Sequence, residues 1–340
     1  MRYYVGTRGS KLALVQTNYV IDRLKEAYPE DEFESVVIKT TGDIQADRQL
    51  DKIGSKGIFV KEIEEELADG RIQLAVHSLK DMPDEPKAGL TFAKAWKRED
   101  SRDVLVLKNA KTLDELPQGA VIGTGSKRRK YQLLKLRPDL KVVGIRGNID
   151  TRLRKLYEGE PVCEGEAALS VGTEKTVDDI AKDELGTNRL ILDGIVIAAA
   201  GITRIGRAEE ISQYMSVDEI IPAPAQGTLA LELRADNTEL LAKLNALADE
   251  DTDRCVQMER AFLKQIGGDC HTPVAAYCDI NDGELELRAM YGSEDGSQLA
   301  STRVTEADDD VAECASQNEI MAKMVDVAVG RICLRNRKQD

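Results

Sequence analysis

Aromatic side chains are scarce here, at 4% of 340 residues, with one tryptophan and four phenylalanines. That scarcity leaves few rings to stack on nucleic-acid bases. Histidine is scarcer still: His77 and His271 are the whole supply, far apart in sequence, and make no metal site. The six cysteines (Cys163, Cys255, Cys270, Cys278, Cys314 and Cys333) contain no CxxC pair and no metal-ligand spacing. No apolar run is long enough to span a bilayer, and Met1–Ser10 lacks the basic-then-apolar pattern of a secretion signal. Reduced, structural cysteines and a cytoplasmic location are therefore expected. What is abundant is charge, with 32% charged residues and a net charge of −14. That balance describes a soluble globular chain of two or three domains.

Against that acidic total, residues 123–155 carry eleven basic side chains and only two acidic ones, Asp139 and Asp150. A local field of the opposite sign points to a bound polyanion. Two phrases carry it: Gly-Thr-Gly-Ser-Lys-Arg-Arg (123–129) and Arg-Gly-Asn-Ile-Asp-Thr-Arg (146–152). In each, a small polar turn delivers guanidinium groups to the start of a helix, where free N–H groups also attract anions. Lys127 and Lys130 read as a solvated helix face, and Arg137, Arg154 and Lys155 as exposed-face residues.

The pattern along the chain is α/β. The first part predicts strands at 2–6, 33–39 and 74–77, and helices from a Ser10 cap to about Tyr28 and over 58–69. Residues 40–57 are polar, rich in glycine and aspartate, and long enough to be a flap over a site. A second unit predicts strands at 104–107, 120–123, 141–144 and 194–199, with helices near 127–136 and 148–158. Residues 161–191 interrupt it as an acidic excursion. Beyond Ala235 the order changes to two helices, three alternating strands within 274–304 and a last helix, an α+β arrangement. The expected architecture is thus two periplasmic-binding-protein-like α/β domains plus a small C-terminal α+β domain. Domain 1 covers 1–98 with 226–234, domain 2 covers 99–225 with the insertion 161–191, and domain 3 covers 235–340.

Several separated phrases, in this order, resemble the porphobilinogen deaminase (hydroxymethylbilane synthase) family. They are Gly-Thr-Arg-Gly-Ser-Lys-Leu-Ala-Leu (6–14), Gly-Ser-Lys-Gly-Ile-Phe-Val-Lys-Glu (54–62) and His-Ser-Leu-Lys-Asp-Met-Pro (77–83). The two basic phrases at 123–129 and 146–152, together with Pro-Ala-Pro-Ala-Gln-Gly (222–227) and Gly-Gly-Asp-Cys-His-Thr-Pro (267–273), complete the set. The resemblance implies a monomeric transferase of porphyrin and heme biosynthesis carrying one covalent dipyrromethane. It would join four porphobilinogen units head to tail with loss of ammonia, then release hydroxymethylbilane by hydrolysis. The family pattern has two glycines directly before its attachment cysteine, whereas here Asp269 intervenes. The retained Cys-x-x-Pro places the thioether on Cys270 rather than on Cys278.

Residue by residue, a loop cysteine such as Cys270 is by itself as consistent with a buried small residue as with a tether. Asp81 is open between a turn aspartate and a carboxylate that steadies a cationic pyrrole, and the resemblance decides for catalysis. Each porphobilinogen brings an acetate and a propionate, so carboxylate binding falls to Arg8, Ser10, Lys80, Thr124, Ser126, Arg128, Arg129, Arg146, Arg152 and Arg204. Gln226 and Gly227 are read as a backbone approach to the cofactor, with a plain hinge as the alternative. Lys56 and Phe59 are read as flap and stacking contacts, and His77 as a strand-end histidine rather than a catalyst.

Two other functions compete. A nucleic-acid binder would use Lys127–Lys130, but the basic island is short and lacks interleaved aromatics. A two-lobed solute-binding or sensor module for a small polycarboxylate is compatible with the fold and would need neither Asp81 nor a tethered cysteine. Porphobilinogen as substrate, hydroxymethylbilane as product, no nucleic acid, no membrane and no metal are the expected partner set.

Overall fold

The computed structural model describes residues 1–40, 60–159, 191–267, 272–307 and 316–336. In chain order its elements are β1 (Arg2–Thr7), α1 (Lys11–Ala27), β2 (Glu32–Val37), α2 (Lys61–Ala68), β3 (Leu74–Ser78), β4 (Leu90–Phe92) and β5 (Asp103–Leu107). Then follow β6 (Val121–Gly123), α3 (Lys127–Leu136), β7 (Lys141–Val143), α4 (Ile149–Glu158), β8 (Gly194–Ala198), α5 (Ala199–Arg204), β9 (Gln213–Tyr214) and β10 (Leu229–Arg234). The chain continues through α6 (Thr238–Asn245), α7 (Glu250–Ile266), β11 (Val274–Asn281), β12 (Glu284–Gly292), β13 (Leu299–Thr305) and α8 (Gln317–Asn336).

Backbone contacts divide the chain into two compact units. The first comprises Met1–Asp100, Arg204–Gly206 and Ala225–Val256; the second comprises Ser101–Thr203, Arg207–Pro224 and Gln257–Asp340.

In the first unit a five-stranded sheet runs in the order β2-β1-β3-β10-β4. β1 lies parallel to β2 and β3, whereas β10 is antiparallel to both β3 and β4. Helix α1 starts just after Ser10, whose backbone is extended and whose hydroxyl accepts from Ala13 N at 3.3 Å, a side-chain cap on an otherwise unsatisfied donor. Its buried positions Val20, Ile21 and Leu24 recur at helical spacing and pack on Val5, Leu74, Leu231 and Trp96. The Trp96 indole N–H donates to Leu244 O at 2.9 Å, which lets a large ring be buried without an orphan donor.

In the second unit a five-stranded sheet runs β7-β6-β8-β5-β9, and a separate three-stranded antiparallel sheet runs β11-β12-β13. Every residue of β5 is buried, as a central strand covered on both faces requires. Both large sheets are mixed, since β10 is antiparallel to its neighbours in the first and β5 is antiparallel to β8 and β9 in the second. The strands β4 and β9, of three and two residues, were too short to show periodicity.

Candidate functional site

Asp81 is presented by a short 3-10 turn, Leu79–Asp81, that continues directly from β3. Leu79 and Met82 on either side are buried in a cluster with Val60, Ala225, Ala230 and Val256. Leu79 N donates to Thr228 O at 3.0 Å, and Met82 N returns to Leu79 O at 3.1 Å. The turn is therefore nailed at both ends while Asp81 itself is exposed and Lys80 half-buried. One residue earlier, the Ser78 hydroxyl accepts from the buried Gln16 amide at 3.0 Å. A carboxylate so placed at a strand's carboxyl end is fixed in position and open to a ligand.

Elsewhere in the first unit, Arg8 is half-buried in the turn between β1 and α1, and the Ser10 hydroxyl is the helix cap. Arg204 closes α5 and donates from Nη2 to Gly227 O at 2.7 Å; burial pushes its guanidinium pKa down. Gly227 O also accepts from Glu99 N at 3.2 Å. At Gly227 the backbone is left-handed (φ 89°), and a Cβ there would stand 2.4 Å from Glu99 O, so only glycine fits. Its neighbour Gln226 is buried. The Gly227 backbone thus lies close against Glu99.

In the second unit the phrase 123–129 folds as its residues suggest. Thr124 is buried, its N donating to Val143 O at 2.9 Å and its hydroxyl accepting from Ser126 N at 3.2 Å. Ser126 caps α3 by accepting from Arg129 N at 3.4 Å. Arg128 and Arg129 are both buried, and both meet Asp103, the first residue of β5. Arg128 Nη2 lies 2.8 Å from Asp103 Oδ2, and Arg129 donates to Oδ1 from Nε at 3.0 Å and from Nη2 at 2.7 Å. Arg129 Nη1 also reaches Val196 O at 3.2 Å, and Arg128 Nη1 reaches Ile221 O at 2.5 Å.

One buried carboxylate thus serves two buried guanidiniums, and the trio retains net positive charge. Asp103 lies outside the basic window, which is why counting charge within 123–155 missed it. An aspartate opening the buried run Asp-Val-Leu-Val-Leu was the available signal.

Arg146 and Arg152 flank the start of α4 and are half-buried. Asn148 caps that helix by accepting from Thr151 N at 2.9 Å, and Arg152 Nε donates to Gly147 O at 2.8 Å.

Two readings of the basic island are corrected. Lys130 is buried rather than solvated, its amine finds no hydrogen-bond partner among the described residues, and burial, aided by Lys127, pushes its pKa down to about 8. Arg137 is half-buried, bonded to Asp139 at 2.8 Å and to Leu113 O at 2.7 Å, because the chain turns back under the end of α3. Lys127 lies 3.8 Å from Glu294, and Arg154 is exposed. His77 is buried 3.3 Å from Glu232. Nearby Glu64 has its pKa raised, first by burial and then by Glu232.

Cys270, His271, Lys56 and Phe59 lie outside the described residues. Of the described cysteines, Cys255 and Cys278 are buried and Cys333 is exposed. Cys278 is a core residue of β11 whose N donates to the buried Glu259 at 2.8 Å. Among the described residues no helix is long and apolar enough to cross a membrane.

The second unit thus gathers guanidiniums at two helix starts, and the first holds an exposed aspartate at a strand end, within a chain of the α/β class. Comparison with known proteins supplies the rest. The family model "Porphobilinogen deaminase, dipyromethane cofactor binding domain" matches residues 3–171 and 180–242, and "Porphobilinogen deaminase, C-terminal domain" matches 254–324. A porphobilinogen deaminase of Lachnospira eligens is 53% identical over 91% of this chain and 95% of its own. One of Clostridioides difficile is 46% identical over 96% and 97%. Among solved structures, the methionine-binding protein MetQ covers 76% of this chain and 94% of its own at 14% identity, with a TM-score of 0.40.

The chain belongs to the porphobilinogen deaminase family. Its activity is the family's, the assembly of porphobilinogen into hydroxymethylbilane on a dipyrromethane cofactor. The solute-binding alternative is not favoured.

Proposed function

We propose that Asp81 is the catalytic carboxylate and that the basic side chains at the helix starts hold the acetates and propionates of the pyrrole chain. The observation that carries this reading is the turn at Leu79–Asp81, anchored by two buried residues around one exposed acid. The acid steadies positive charge on a pyrrole ring and can accept or return a proton beside it. Arg8, Lys80, Arg146 and Arg152, all half-buried, are placed to bind carboxylates without full desolvation. Arg128 and Arg129 contribute through the charge that Asp103 leaves uncancelled. Ser10, Thr124 and Ser126 act one step back, as caps and turn bonds that aim the helix starts. Arg204, Gln226 and Gly227 hold the backbone crossing near Glu99.

The donor set fits a polycarboxylate such as dipyrromethane, which supplies the primer to which porphobilinogen units are added. Cys270 is the proposed thioether position, one cofactor per chain, and the burial of Cys278 in β11 supports that choice. Lys56 and Phe59 remain proposed flap and stacking contacts. The chain is proposed to work as a cytoplasmic monomer, without nucleic-acid or membrane partners.

Intact-protein mass spectrometry tests the assignment directly. The purified chain should carry the added mass of one dipyrromethane, located by peptide mapping to the fragment holding Cys270. The same mass on Cys278 or Cys333 would overturn the attachment site.

A further inference from the structure

Gln132 lies four residues after Arg128 on α3, hence on the same face of the helix, and is buried. Its side-chain amide reads both polar groups of a single backbone residue: Oε1 accepts from Ile221 N at 2.8 Å, and Nε2 donates to Ile221 O at 3.1 Å. Nε2 also lies 3.3 Å from Arg128 O. The carbonyl that Gln132 holds is the one to which Arg128 Nη1 donates at 2.5 Å. Arg128 is thereby clamped from two directions, by Ile221 O on one side and by Asp103 on the other.

The next residue extends the link. Pro222 has no N–H to give, and its carbonyl accepts from Ala276 N in β11 at 3.2 Å. The Ile221 side chain packs with Ala275 and Met290. Ile221–Pro222 therefore sits between the helix bearing Arg128 and the strand that begins four residues after Cys270.

We propose that Gln132 is a positioning residue for Arg128, an amide that locks the Ile221 peptide so that the Arg128 guanidinium keeps one orientation toward a pyrrole carboxylate. This rests on the reading of Arg128 as a carboxylate-binding residue. An amide meets the geometry without titrating, since an ionised glutamate can accept from Ile221 N but cannot donate to its carbonyl, and leucine can do neither.

The test is a double-mutant cycle on the full-length holoenzyme. Gln132→Leu, Gln132→Glu, Arg128→Lys and the Gln132→Leu/Arg128→Lys pair are compared for KM, kcat, the fraction of chains carrying dipyrromethane, and thermal midpoint. Loss of the amide's bonds should raise KM about tenfold with a smaller change in kcat. Gln132→Glu, which keeps the side chain's length and its acceptor but sets a buried carboxylate oxygen against the Ile221 carbonyl, should raise KM as well. The double variant should be little worse than Arg128→Lys alone, because both changes disable one guanidinium. Multiplying effects in the pair, or a lower midpoint with unchanged KM and cofactor loading, would overturn the inference. If Arg128→Lys alone left KM and loading unchanged, the reading of Arg128 itself would fall.

Discussion

Removing the Asp81 carboxyl subtracts a charge without subtracting packing, since the side chain is exposed and its turn is held by Leu79 and Met82. Asp81→Ala should accordingly lower kcat by at least 100-fold on the order of a general acid–base contribution. Its melting midpoint should stay within about 2 °C of wild type, a surface-substitution effect. Steady-state ammonia release and calorimetry check the two halves, and near-normal turnover would remove Asp81 from the mechanism.

Lys130 is the opposite case, a buried cation that burial disfavours. Its folded pKa, about 8, lies below the ordinary lysine value, so between the two the unfolded chain binds more protons than the folded one. Stability from this group therefore rises as pH climbs through that window. Lys130→Met should stabilise the chain by about 1–2 kcal/mol at pH 7. The gain should shrink above pH 8, as denaturant titrations at pH 7, 8.5 and 10 would show. Sequence reading put Asp81 at a strand end, where it lies, but put Lys130 on a solvated face, where it does not. For Asp81 a strand end and a proline sufficed, whereas the burial of Lys130 is set by packing partners that no local window reveals.

Elements were more legible than pairings. Ser10 announced one helix start, Ser126 and Asn148 prove to cap two more, and each side chain is observed accepting from a backbone N–H of the first turn. The cap at Ser126 does more than stop fraying, because it fixes the turn from which Arg128 and Arg129 leave. Ser126→Ala should cost about 1 kcal/mol of stability, measured by urea denaturation, and should raise KM more than Asn148→Ala does. At the crossing near residue 227, Gly227→Ala must force a left-handed backbone and a Cβ against the Glu99 carbonyl. It should destabilise by about 2 kcal/mol or more. A midpoint equal to wild type would mean that Glu99 yields easily. The antiparallel pairings of β5 and β10 escaped the reading because strand direction depends on which neighbour a segment finds, not on its own composition.

At the scale of the whole molecule, an acidic chain of net −14 works on an anionic substrate. Charges far from the basic island repel that substrate beyond about 10 Å, and salt screens them first. The bonded, buried arginines are screened far less. Raising ionic strength from very low values to about 0.1 M should therefore leave kcat/KM level or slightly higher. A steep fall would show that the local basic field governs encounter instead. Stopped-flow or initial-rate series in a non-coordinating salt would decide.

One topological fact bears on how the chain comes into being. β10, residues 229–234, fills the place between β3 and β4, whose own residues end at 92. A nascent chain that has emerged only through residue 100 holds four of the five strands yet has a gap where the second-last belongs. Its β3 edge stays open to wrong partners until more than a hundred further residues are translated. Ribosome-bound chains truncated before residue 229 should thus engage chaperones, and maturation should be paced by late synthesis rather than by local helix formation.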